Sequence, residues 1–398
     1  MSFYFPNCYW FYVFLLLSKL FYIIKNEFAI LLFRVAIGLS SASSAHGGNR
    51  IQEAQRLGCR PEQLLDASAS LVPFPPSRPL RRCLSRALTD CTLRDYPDRS
   101  HHQLREAISH WHGVDPAMVL PGNGAAELFT WVARDAALQG VSGLPVPGFA
   151  DYCRALRCWQ GSLQAFPLPL SWTAEAPQPF PLRPDADVLW ITNPHNPTGQ
   201  LWSRASLEPL LQRYRLVVCD EAFLPLVPDG ERQSLVPMVV NHPNLVVIRS
   251  LTKLFAVAGL RLGYAIGTQE RLQRWQQWRD PWPLNGFAIA AGTALMTDRS
   301  ALERWMVRVQ EWVAREGLWM HAQLSDLSGI RPYPSAANFL LIRGDASLVR
   351  LREQMAQRRV LLRDCRSFAE LGEHWLRIGL QHRSGNRRIV AAFRDLLR

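Results

Sequence analysis

The chain has 398 residues, 48% of them hydrophobic and 20% charged, with a formal net charge of +12. A chain of this length buries a large core, with two or three domains as the prior expectation, and its composition excludes a disordered protein. The basic residues are scattered among Asp, Glu, Trp and Pro without a run of five like charges. The charge therefore reads as a surface suited to anionic small molecules, not as a nucleic-acid interface.

Residues 1–45 differ in character from the rest. "FYFPNCYWFYVFLLLS" is strongly apolar, yet Lys19, Lys25, Glu27 and Arg34 interrupt the stretch after it. A spanning helix needs about 20 mostly apolar residues in one run, and a signal peptide needs a basic start; neither template fits. No methionine separates Met1 from Met118. The segment reads as sequence upstream of a true start at a non-standard codon, near Val35, with a membrane anchor as the alternative. Globular composition begins at "HGGN", residues 46–49, and residues 46–77 read as an N-terminal arm. The eight cysteines form no C-x-x-C pair and no Cys/His cluster has zinc spacing. A reduced, cytoplasmic protein without a metal is expected.

Further along, "LPGNGAAELFTWVARDAAL" (120–138) sets a glycine-rich turn before a helix. The backbone amides of Gly124, Ala125 and Ala126 would make an anion site there. "DVLWIT" (187–192), "RLVVCD" (215–220) and "NLVVIRS" (244–250) are continuous apolar runs, as in a parallel sheet covered on both faces. Between the first two, "SRASLEPLLQRY" (203–214) has helical periodicity with Ser203 as an N-cap. Strand and helix in alternation imply an α/β domain over about 78–285. A helix-like stretch from about residue 298 leads into a smaller α+β domain within 286–398, where "ANFLLIRG" and "HWLRIGLQ" read as strands.

Polar residues fall where the three strands stop: Asn193 and Asn196 after the first, Asp220 on the second, Lys253 after the third. In open α/β sheets the ligand sits beyond the carboxyl ends of the strands. A lysine there can act as a Schiff-base nucleophile, and a buried acid can keep a pyridinium nitrogen protonated. Together they describe a pyridoxal-phosphate site. Lys253 would carry the cofactor, Asp220 would pair with its ring nitrogen, and Asn196 would donate to its phenolic oxygen. Ser250, Thr252 and Arg261 would hold its phosphate. Singly, each element has an ordinary reading as a surface lysine or a proline-rich turn. Their common order at strand ends makes coincidence a poor explanation.

At these residues "NPHNPTG", "DEAF" and "SLTKLFAVAGLRLGY" resemble the class I/II aminotransferase superfamily of fold-type I pyridoxal-phosphate enzymes, from about His46 to the C-terminus. Within it the branch of histidinol-phosphate aminotransferase and threonine-phosphate decarboxylase fits best. "HGGN", "LLDASASLVPFPPS" and "LLRDCRSF" are most similar to the decarboxylases of cobalamin biosynthesis. The resemblance implies a large domain with a mostly parallel mixed sheet, a smaller C-terminal domain and a homodimer. It implies decarboxylation of L-threonine O-3-phosphate to (R)-1-aminopropan-2-yl phosphate and carbon dioxide, with histidinol-phosphate-type aminotransfer as the alternative.

By the same resemblance Phe149 stacks on the pyridine ring and Tyr96 reaches the cofactor phosphate of the neighbouring subunit. Arg377 grips the substrate carboxylate, with Arg363 the next candidate, and His46 and Gly48 lie near the substrate. Four departures stand out. Ser70 and Val72 replace two asparagines of "SANINP", Gln381 stands where a second arginine often follows Arg377, and Phe223 replaces a tyrosine beside the cofactor. Loss of that hydroxyl is expected to raise the pKa of the lysine's linkage to the cofactor. The departures leave the cofactor in place and bear on the substrate.

Overall fold

A computed structural model describes residues 47–397; the expectations for residues 1–45 and for His46 lie outside them. The strands among the described residues are β1 (Leu65–Ala67), β2 (Val119–Asn123), β3 (Ser142–Val146), β4 (Leu163–Pro167), β5 (Val188–Thr192), β6 (Leu216–Asp220), β7 (Leu245–Ser250), β8 (Leu262–Ile266), β9 (Ile330–Pro332), β10 (Phe339–Gly344), β11 (Val360–Asp364) and β12 (Trp375–Gly379). A seven-stranded sheet runs β2-β8-β7-β6-β5-β3-β4. β7, β6, β5, β3 and β4 are parallel, while β8 is antiparallel to both β7 and β2.

The three apolar runs are β5, β6 and β7, and every residue in them is buried. Successive side chains leave a strand on opposite faces. Val188, Trp190, Val218, Val246 and Ile248 thus pack with Leu128, Phe129 and Val132 of helix Gly124–Gln139. Leu189, Ile191, Val217 and Val247 enter the core on the other face. With both faces covered, both sets of positions are apolar until the strands end, so the runs are continuous and not alternating.

One expectation fails here. Residues 203–214 do not form a single helix: an α-turn over Arg204–Leu207 gives way to a 3₁₀ segment over Glu208–Gln212. Pro209 has no N–H to donate, and its ring opposes continuation of an α-helix. Ser203 occupies the N-cap position, but its side chain makes no cap hydrogen bond.

A second sheet, five-stranded, runs β1-β11-β12-β10-β9. β1, from the N-terminal arm, lies parallel to β11, and the remaining pairs are antiparallel. This register sets Arg363 directly opposite Arg377. The helix Arg299–Ser325 precedes these last strands, capped by Asp298, which accepts the N–H of Ala301 at 2.9 Å. No helix among the described residues is long and apolar enough to cross a membrane.

Candidate active site

The carboxyl ends of the parallel strands carry the polar residues. In register, Thr192 at the end of β5 lies opposite Asp220 at the end of β6, and Asp220 lies opposite Ile248 of β7. Beyond β7 the helical turn Leu251–Leu254 presents Lys253. A cleft enclosing about 910 Å³, its mouth included, gathers Gly124, Ala125, Ala126, Phe149, Asn196, Asp220, Ser250, Thr252, Lys253, Arg261, Arg363 and Arg377. These belong to segments far apart in the chain. Only the folded sheets bring them together.

Burial sets the electrostatics of the cleft. Asp220 is pushed up to about 6 by loss of solvent, opposed by the Tyr152 hydroxyl, the Ala222 N–H and the nearby Lys253. The hydroxyl donates to Asp220 Oδ2 at 2.6 Å and the N–H to Oδ1 at 2.9 Å. Asp220 is therefore ionised at neutral pH. Lys253 is pulled down to about 8, first by the protein packed around it and then by the Arg377 and Arg261 guanidinium groups, with Asp220 opposing. A lysine in that range has an appreciable neutral fraction near pH 7, as a nucleophile requires. Arg377 is itself lowered to about 10, by burial and by Arg363 beside it.

The turn before helix Gly124–Gln139 and Arg261 form one anion cradle. Gly124 has φ +74°, and a Cβ there would lie 2.5 Å from Arg261 Nη2. Glycine is thus required twice, for its conformation and for the guanidinium's approach. Gly263 lets β8 approach the backbone of the same turn: a Cβ on it would lie 2.8 Å from Ala125 N and 3.1 Å from Gly124 C. Ser250 Oγ and Thr252 Oγ1, 2.7 Å apart, complete the hydroxyl set. Phe149 stands edge-on to Phe129 and Tyr152, which fixes its ring plane at the cleft wall. A phosphate cradle, an ionised buried carboxylate, a depressed lysine and an aromatic face fit pyridoxal 5'-phosphate.

Comparison with known proteins agrees. The profile of the aminotransferase class I and II family matches residues 68–393. The chain belongs to this family. Among curated relatives of this aminotransferase-family chain is threonine-phosphate decarboxylase of Salmonella typhimurium, 32% identical over 89% of this chain and 97% of its own. Histidinol-phosphate aminotransferase of Symbiobacterium thermophilum is 31% identical over 77% of this chain and 83% of its own. Among solved structures, histidinol-phosphate aminotransferase of Sinorhizobium meliloti in complex with pyridoxal-5'-phosphate shares the fold, with a TM-score of 0.73 at 19% identity. It covers 90% of this chain and 99% of its own. The architecture is the fold-type I architecture of class I/II enzymes, and their cofactor is pyridoxal 5'-phosphate.

Two residues singled out in the sequence sit elsewhere in this class I/II chain. Tyr96 is 78% exposed and stacked on Trp282, outside the cleft lining. Gly48 is not a lining residue either; its neighbour Gly47 is. Of the four departures, Ser70 lines the cleft with its buried Oγ lacking a partner, and Phe223 lines it with its ring against Phe339. Val72 is buried in the main core. Gln381 donates to the Asp66 and Gly379 carbonyls and ties strands together. Asn196 Oδ1 accepts from Arg377 Nη1, which leaves its Nδ2 for another acceptor. Sequence reasoning passed over Tyr152, although "PGFADY" sets it three residues after Phe149, one helical turn away. It also passed over Arg249, buried between Glu221 (2.6 Å) and Glu231 (2.7 Å), which fixes the turn after Asp220.

Proposed function

We propose that the protein catalyses pyridoxal-phosphate-dependent decarboxylation of L-threonine O-3-phosphate to (R)-1-aminopropan-2-yl phosphate and carbon dioxide, within cobalamin biosynthesis. One observation carries this reading. Arg363 and Arg377 face each other in register at the cleft, Arg377 Nε is buried without a partner, and among the described residues the only carboxylate lining the cleft is Asp220. Two like charges side by side call for an anionic ligand between or upon them. A substrate with both a carboxylate and a phosphate answers that demand. The likeness to a threonine-phosphate decarboxylase over nearly the whole chain supports the same choice.

In this reading Gly124, Ala125, Ala126, Ser250, Thr252 and Arg261 would hold the cofactor phosphate, and Phe149 would pack on its ring. Asp220 would keep the ring nitrogen protonated, and Asn196 Nδ2 would donate to the phenolic oxygen. The cofactor, when bound, supplies an electron sink for the pair released by the breaking bond. Arg377 orients the substrate carboxylate by a planar fork, and Arg363 takes the substrate phosphate. Lys253 Nζ, pulled down to about 8 by burial, can accept and deliver a proton near neutral pH, and so would return one to the carbon that loses carbon dioxide. We also infer a homodimer in which exposed Tyr96 serves the partner's phosphate cradle.

Incubation with L-threonine O-3-phosphate, following carbon dioxide and the amine by mass spectrometry, tests the proposal. Likeness to histidinol-phosphate aminotransferases favours a second reading, amino transfer with the same residues. Turnover that requires a 2-oxo acid and releases no carbon dioxide would establish it instead.

A further inference from the structure

Three parts of the molecule meet at Ser68. It follows β1 directly, is 8% exposed and lines the cleft. Its hydroxyl donates to Asp66 Oδ1 at 2.5 Å, and its N–H donates to the same oxygen at 2.9 Å. A serine hydroxyl has one proton to give. With that proton committed to Asp66, the oxygen must present its lone pairs, and one of them accepts the Gly48 N–H at 3.0 Å. The Ser68 carbonyl accepts Arg377 Nη2 at 3.5 Å. Gly47 lies flat on the same peptide: a Cβ on it would be 2.3 Å from the Ser68 carbonyl oxygen. Only glycine permits that approach.

We propose that Ser68 is a positioning residue for the substrate. Its hydroxyl, aimed by Asp66, seats the Gly47–Gly48 turn as a wall of the cleft, and its carbonyl holds Nη2 of the Arg377 guanidinium while Asn196 holds Nη1. The inference rests on the reading that Arg377 receives a substrate anion. Ser68 makes no hydrogen bond to Lys253, Asp220 or Arg261, so its contribution belongs to substrate binding and not to cofactor capture. A residue that merely stabilised the edge of the small sheet would not separate the two.

The test uses the full chain loaded with cofactor, as Ser68→Ala, Ser68→Thr and Gly47→Ala. Wild type is first assayed with L-threonine O-3-phosphate and with histidinol phosphate plus 2-oxoglutarate, and the variants are compared on whichever it turns over. Failure on phosphothreonine alone then counts against the decarboxylase reading and not against Ser68. Loss of one such hydrogen bond is expected to raise KM about tenfold in Ser68→Ala, with kcat within about twofold and the cofactor's absorbance unchanged. Amide exchange in the peptide spanning residues 47–53 accelerates in the same variant. Ser68→Thr, which keeps the hydroxyl, recovers most of the loss. Gly47→Ala reproduces the KM rise by lifting the turn from its other side, and decides the question if Ser68→Ala does not fold. An unchanged KM despite faster exchange at Gly48 overturns the proposal, as does a loss of kcat or of cofactor without a rise in KM.

Discussion

Replacing Arg377 with alanine removes the group that, in the proposed function, receives the substrate carboxylate. Arg377 is 7% exposed, and its guanidinium sits over the rings of Phe339 and Phe368, at 4.8 and 5.8 Å. Asn196 takes one N–H of Nη1 and the Ser68 carbonyl one N–H of Nη2, which leaves Nε–H and the second N–H of each Nη for a ligand. A buried, oriented, charge-assisted contact of this kind contributes about 2–5 kcal/mol. The corresponding fall in kcat/KM is about 30-fold to several thousand-fold. Two effects pull against the upper value. Removal relieves the like charge on Arg363, and Arg363 remains to attract the anion. The loss should therefore lie in the lower half of the range, with the cofactor's absorbance kept. Arg377→Lys restores little, because an ammonium lacks the planar fork. Steady-state kinetics on phosphothreonine, with carbon dioxide as the readout, measures the change. Near-normal kcat/KM in Arg377→Ala, or loss of the cofactor instead, refutes the reasoning.

Lys253→Ala should bind the cofactor through the Gly124 cradle and Arg261 yet show essentially no turnover, and borohydride reduction of the wild type should label Lys253; label mapped to another lysine sinks the assignment. Capture of the cofactor by the cofactor-free protein needs the neutral amine, so its rate should rise about tenfold per pH unit below 8 and level off above it, where an ordinary lysine would keep rising towards 10.5. Stopped-flow absorbance across pH 6–10 decides between the two. In Tyr152→Phe the Asp220 carboxylate loses a donor to its charged form, so its pKa rises further above 6; the acid limb of cofactor affinity should move up by about one pH unit. An unmoved limb would mean that the hydroxyl does not tune Asp220. Gly124→Ala forces a side chain into φ +74° and against Arg261, a strain of about 1–3 kcal/mol, and should weaken cofactor binding about tenfold or more by absorbance titration. Affinity equal to wild type would remove the cradle from the site.

Much of the site was legible in the sequence because its chemistry sits where strands end. β5, β6 and β7 are consecutive in sequence and adjacent in the sheet. An apolar run closing on a polar residue therefore locates Asp220, Lys253 and the Asn196 loop without knowledge of any contact. The glycine-rich turn before a helix was legible for the same reason, since a positive φ and an N-terminal amide cluster are local properties. Local pattern misled once, at residues 203–214, where helical periodicity was outweighed by Pro209. The remaining features are non-local. Arg377 meets Asn196 across 181 residues and Ser68 across 309, and neither separation has a period to read. β11 had to pair with β12 in this register before Arg363 and Arg377 could face one another. Nothing in the two arginines' own neighbourhoods announces that they share a wall. Gln381 and Ser70 looked alike as departures in sequence, yet tertiary packing turned one onto backbone carbonyls and left the other's hydroxyl at the cleft. Sequence alone determines which residue types stand at strand ends and turns; which distant side chains converge on one cavity is decided by strand order and register, which only the folded sheets possess.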